Sequence, residues 1–199
     1  MKCPRAIVTG GRGFTDYQRI EDDLRALRSH GLHRVAEGQS PGGGADEHAH
    51  AAWREIAGES TARYPINKTF DGHHGGAPMR RNTRMIVDEQ AYALMAHEDL
   101  LGLAYPDPQS RGTWHCVAEM LRRGVPVVVW APHAFAGDRP WNGSMQHLWH
   151  HVQGRLSYYG VKDPLMFDWG TARGVLAPLG MPERDIAALA LQVSEALGE

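Results

Sequence analysis

Apolar runs that end in glycine and pass straight into helical periodicity constrain this chain more than any other feature. Arg5–Thr9 is a buried-strand pattern ending at Gly10-Gly11-Arg12-Gly13-Phe14. Tyr17, Ile20, Leu24 and Leu27 then recur at helical spacing up to Gly31, and Thr15 with Gln18 has the spacing of a capping box. The pattern repeats at Arg34–Glu37, which runs through Gly38-Gln39-Ser40-Pro41 into the triplet Gly42-Gly43-Gly44. Ala45, Ala49, Ala52, Trp53 and Ile56 then keep helical period, with Gly58 as the stop. Strand, glycine turn, helix aims free N–H groups and a positive helix end at an anion, of which phosphate is the commonest. Taken alone, Gly42–Gly44 is equally compatible with a flexible surface loop.

Further along, Thr61–Ile66 reads as a third strand and Asn67–Pro78 as a long loop. A helix is expected from Met79 to about Gln90. Leu100–Tyr105 is a strand, with Ala91–Met95 as an earlier piece of it. Pro106–Thr113 forms a turn, and Val117, Met120 and Leu121 mark a helix that stops at Gly124. Val125–Trp130 is the clearest strand pattern in the chain. Alternating strands and helices predict an α/β fold, a parallel sheet with helices on both faces. Right-handed crossovers would bring the glycine turns together at the carboxyl edge of that sheet, where open α/β sheets bind ligands.

Beyond Pro132 the character changes. Ala134–Gly143 reads as a loop, and Ser144 can cap a helix carrying Met145, Leu148, Trp149, Val152 and Leu156 on one face. A last helix follows Pro182, with Ile186, Leu189, Ala190, Val193 and Leu197 as its stripe. The division expected is therefore an α/β sheet domain with a ligand-binding edge over residues 1–132 and a mainly helical extension over residues 133–199. Trp141, Trp149, Tyr158, Tyr159 and Trp169 cluster in that extension and raise the expectation of a homo-oligomer.

Composition narrows the partners. With 21 basic against 23 acidic residues, the formal charge of −2 argues against a duplex nucleic-acid partner, which needs a basic face. The cluster Arg80, Arg81, Arg84 is still sufficient for one or two phosphates. No apolar run approaches the length of a membrane span or a signal peptide, so a cytoplasmic protein is expected. Cys3 and Cys116 are expected to be free thiols. Twelve histidines invite a metal, but His48 and His50 diverge on a helix, and His147 with His151 lacks a third ligand. His73-His74 lies in the long loop. No metal and no separate cofactor are expected. Gly11-Arg12-Gly13 followed by Asp16 also fails the third glycine of a dinucleotide fingerprint, although Glu37 falls where a ribose-binding acid belongs.

Three segments in this order carry a family likeness: Ala6-Ile7-Val8-Thr9-Gly10-Gly11-Arg12, Gly43-Gly44-Ala45-Asp46 with Ala49 and Trp53, and Arg81-Asn82-Thr83-Arg84-Met85. They resemble the DUF2493 family, which is related to YspA and belongs to the SLOG superfamily of Rossmann-like nucleotide-binding domains. Gly112-Thr113, Ala118 and Gly124–Val127 resemble the last turn, helix and strand of the same fold. The likeness covers roughly residues 5–130. It implies a Rossmann-like sheet and a nucleotide or nucleotide-derived ligand held by Gly10, Gly11, Arg12, Gly13, Gly43, Gly44, Asp46, Arg81, Asn82, Gly112 and Thr113.

The wider superfamily includes DprA-type DNA-binding proteins and LOG-type phosphoribohydrolases, which release a base from a nucleoside 5′-monophosphate. Those hydrolases carry an Arg in a similar Arg-Lys-x-x-Met setting, which Arg81 matches, and a Glu three residues after the Gly-Thr turn. Cys116 stands at that second position, and Arg111 stands where a Gly belongs. N-glycoside cleavage wants a carboxylate beside the ribosyl centre. Glu119, one helical turn further, and Asp46 are the candidates to supply it, with Arg81 as the phosphate fork. Both carboxylates also have ordinary explanations, a solvated helix residue and a first-turn acid facing the helix dipole. The missing Glu favours binding or sensing; Arg81 and the turns permit hydrolysis.

Overall fold

The computed structural model describes residues 5–73, 75–107, 110–125 and 127–130. The expectations for the extension at 133–199, including its helices and aromatic cluster, lie outside these residues, as do Cys3 and His74. The element order is β1 (Arg5–Gly10), α1 (Tyr17–Ser29), β2 (Arg34–Glu37), α2 (Ala45–Ala57), β3 (Ala62–Arg63), α3 (Lys68–Asp71), α4 (Ala77–Ala96), β4 (Leu100–Tyr105), α5 (Arg111–Arg122) and β5 (Val127–Val129).

The strands form one parallel sheet in the order β3-β2-β1-β4-β5. Strand alternation sorts the core into two layers. Ala6 and Val8 pack with Ile20, Leu24, Ala49 and Trp53 of α1 and α2 on one face. Ile7 and Ala104 pack with Met85, Ile86, Val117 and Met120 of α4 and α5 on the other. Winding runs outward from β1 through β2 to β3, then returns across the sheet to β4 on the other side of β1. β1 and β4 are paired over their whole length, Arg5 with Leu100 through Gly10 with Tyr105. Their carboxyl ends therefore part around a topological switch point, and the loops that leave them open a crevice.

The α/β architecture is the one the pattern predicts, and several boundaries differ. α1 is capped by Asp16, whose Oδ1 accepts the Arg19 N–H at 3.0 Å. The Thr15–Gln18 box is not used; the Gln18 amide instead donates to Glu21 and Asp22. Asp is as good an N-cap as Thr and stands one residue closer to the helix. Ala91–Met95 is helical, not a strand piece. Ala93 extends the buried stripe Met85, Glu89, Ala93 at i+4, and no breaker intervenes before His97 turns left-handed at φ 55°. The apolarity that mimicked a strand sits on Leu94 and Met95, which face outward at 76% and 69% exposure.

β3 and β5 are shorter than expected, at two and three residues. The long loop contains α3, capped by Asn67, whose side chain accepts the Thr69 N–H at 2.9 Å. Asp71 closes that turn from the other side: its carboxylate accepts the Asn67 N–H and pairs with Arg84 of α4 at 2.9 Å.

Candidate functional site

A cleft of about 930 Å³ opens at the carboxyl edge of the sheet. Its floor is Thr9 to Gly13 after β1. One wall is Gly38 to Pro41 after β2, with Asp46 from α2; the other is Asp107 and Ser110 to Thr113, after β4. Ile66, Pro78, Arg81, Asn82 and Met85 close it from the α4 side.

Arg81 is the dominant charge. The residue is 5% exposed, and its guanidinium lies across Gly38, where a Cβ would come to 2.1 Å from Nη1. A side chain there would require the guanidinium to shift. Nη1 donates to the Tyr64 carbonyl at 3.0 Å, while the buried Nε has no acceptor. Among the described residues no carboxylate pairs with it within 4.0 Å. Burial depresses its pKa, with Asp46 as the main opposing influence. A buried cation with an unspent donor is costly unless an anion completes it.

Its neighbours on α4 are differently placed. Arg84 pairs with Asp71, and Arg80 donates to the Asp71 carbonyl. Residues 80 and 84, one turn apart on α4, both turn to Asp71, so the cluster delivers a single arginine to the cleft. Arg12, exposed at the mouth, is a second lining cation with no ion-pair partner among the described residues.

The amino end of α5 faces the same space. Thr113 is 2% exposed, and its Oγ1 has no hydrogen-bond partner. Asn82 bridges from α4 by donating to the Gly112 carbonyl at 3.1 Å. Helix N–H groups, an unspent hydroxyl and a guanidinium with an unspent Nε therefore meet on one cleft. This is the donor set that an oxyanion such as phosphate satisfies.

Asp46 is buried, and its Oδ2 accepts the Ser40 N–H at 3.0 Å. Burial raises its pKa, against that hydrogen bond and the Arg81 charge. Glu37 lies deeper and does not line the cleft. It accepts the Thr61 hydroxyl at 3.0 Å, pairs with Arg63 and takes the Gln39 N–H. That last contact holds Gln39, a lining residue, at φ 49°.

Of the residues expected at the site, Gly10, Gly11, Arg12, Gly13, Asp46, Arg81, Asn82, Gly112 and Thr113 line the cleft. Gly43 and Gly44 do not. Gly44 packs against the first turn, and the leading α2 amide, that of Ala45, already donates to the Gly11 carbonyl at 3.2 Å. Glu119 does not either: its carboxylate is held by Arg122 and Arg123 of its own helix turn. The i+3 and i+4 spacing makes that pairing local. Cys116 is fully buried, and desolvation pushes its thiol up to about 12, so it supplies no thiolate.

Sequence reasoning missed Gln39, Ser40, Asp107 and Ser110 as lining residues. Nothing in periodicity marks them; a polar residue between a strand and a glycine turn was the one available signal. Among the described residues no group of three His, Cys, Asp or Glu side chains is disposed to hold a metal, and no helix is long and apolar enough to cross a membrane. No protein-family model matches the chain, and neither does any curated protein or solved structure.

Proposed function

We propose that the chain binds a nucleotide or nucleotide-derived ligand in this cleft, as a sensor or processing domain, with its phosphate at the amino end of α5. The observation that carries this reading is Arg81, a buried guanidinium on the cleft with an unspent Nε and no carboxylate paired to it. The unspent Thr113 hydroxyl supports it. The cleft's position at the switch point is where α/β sheets take ligands, and Ile66, Pro41 and Pro78 offer apolar surface for a base. The resemblance of the Gly10–Arg12 and Arg81–Met85 segments to the DUF2493 family and the SLOG superfamily points the same way.

A second reading, hydrolysis of the N-glycosidic bond of a nucleoside 5′-monophosphate, is favoured by one observation. Asp46 is a buried cleft carboxylate whose pKa burial raises, which suits a proton donor or a base poised toward neutral pH. Glu119 has no part in it.

Purified protein incubated with nucleoside mono-, di- and triphosphates, NAD and ADP-ribose separates the two when melting temperature and free base are followed together. Stabilisation with the nucleotide intact is the expected result. Released base that disappears in Asp46→Asn would establish the hydrolase. An Arg81→Lys protein that stays folded should lose the stabilisation, because an ammonium cannot reproduce the guanidinium fork. No stabilisation by any of these compounds refutes the binding reading.

A further inference from the structure

The glycine turn after β1 already holds an anion, and it is the protein's own. The Gly13 N–H donates to Asp107 Oδ2 at 3.0 Å. The same carboxylate lies against Gly11, where a Cβ would come to 2.0 Å from Oδ2. Ser110 Oγ, 2.8 Å from Oδ1, holds the other oxygen, and the Ser110 N–H donates to the Asp107 carbonyl at 3.2 Å. All four residues line the cleft. A side chain at Gly11 would therefore collide with Asp107.

A turn of this kind after the first strand normally offers its N–H groups to phosphate. The β1 and β4 ends are neighbours, so a ligand phosphate at the amino end of α5 would direct any second phosphoryl group toward Gly11–Gly13. There it would meet a carboxylate that has taken the Gly13 donor. Like charges competing for one donor repel, and inside a cleft the repulsion is only partly screened. Arg12 and Arg111 add positive charge at the mouth, but both are exposed, whereas Asp107 acts at the Gly13 N–H itself.

We propose that Asp107 sets the phosphate count of the ligand: the cleft admits a nucleoside monophosphate and excludes the diphosphate. This rests on the nucleotide-binding reading above. The experiment is calorimetric titration of the full chain with the 5′-mono- and diphosphates of adenosine, guanosine, cytidine and uridine. Wild type, Asp107→Ala and Asp107→Asn are compared, the last keeping an acceptor for Gly13 without the charge. Wild type should bind a monophosphate at least tenfold tighter than its diphosphate. Asp107→Ala should bring the two within threefold by strengthening the diphosphate, with Asp107→Asn between. If Asp107→Ala fails to fold, Asp107→Asn carries the comparison through the same narrowing. Equal wild-type affinities, or a tenfold preference that survives in the variants, overturns this inference alone. A wild type that binds none of the eight compounds overturns the binding reading and this inference together.

Discussion

The turns at Gly10–Gly13 and Gly42–Gly44 look alike in sequence, each following a strand of the sheet and feeding a helix on the same face. Their glycines answer different needs. In the first turn a Cβ on Gly10 would strike Ala45 and the Tyr105 carbonyl, and one on Gly11 would strike Asp107. In the second, Gly42 and Gly43 face open space and are glycine for their backbone sign, with φ of 96° and 92°. Gly44 alone there is confined, against the Gly11 carbonyl and the Arg12 backbone. The first turn is thus a packed floor of the cleft, and the second is a hinge that returns the chain to it. The loop after β2 reaches the cleft through Gly38–Pro41 and through Asp46, on either side of the glycine triplet.

Substitutions within the second turn, at its confined and its open glycine, test that contrast directly. Gly44→Ala combines a left-handed φ of 84° with overlap against fixed backbone, so it should cost roughly 3 kcal/mol or more by urea unfolding. A variant within 0.5 kcal/mol of wild type, an order-of-magnitude threshold for surface changes, would show that the two turns do not pack as described. Gly43→Ala meets nothing and should cost about 1 to 2 kcal/mol through φ alone, with affinity for the proposed nucleotide unchanged. A loss of affinity there would return the glycine triplet to the site.

Thr113→Val sharpens the same distinction at the third turn. Its buried hydroxyl has no partner to lose, so stability should stay within about 0.5 kcal/mol of wild type. Affinity for the proposed nucleotide should still fall about tenfold, the worth of one hydrogen bond to a charged group.

Asp46→Asn concerns the residue just after the triplet, and its effect is opposite in sign. Burial raises the Asp46 pKa above its unfolded value of about 3.9. The folded protein therefore holds this proton more tightly, and stability contributed by Asp46 falls as pH rises from the unfolded toward the folded pKa. Asp46→Asn removes that fall. It should melt higher than wild type at pH 7, with the advantage shrinking to nothing below the unfolded pKa. Melting curves across pH that run parallel for the two proteins would refute the burial argument.

Much of the frame was legible in the residues. β1 and β4 lie where their apolar runs are, and α2 runs between its glycine and Gly58 as the alanine spacing requires. What failed did so for local reasons with competing answers: Asp16 against Thr15 as a cap, or a helix tail with two exposed apolar residues read as a strand. At the site, Arg81, Asn82 and Thr113 were legible because motif and position agreed. Gln39 was not, since its left-handed backbone is imposed by Glu37, a core carboxylate that periodicity marks only as the end of a strand.

By itself the sequence determined the order of the five strands and the main helices, the parallel sheet and the edge at which its glycine turns gather, because each depends on short-range periodicity and a fixed crossover hand. Only the tertiary structure decided which charges remain unspent at that edge. Arg84 finds Asp71 at a separation of 13 residues, and Gly13 finds Asp107 at 94, while Arg81 finds no carboxylate among the described residues. Pairing of a buried charge depends on where distant segments meet in space, and no local pattern encodes it.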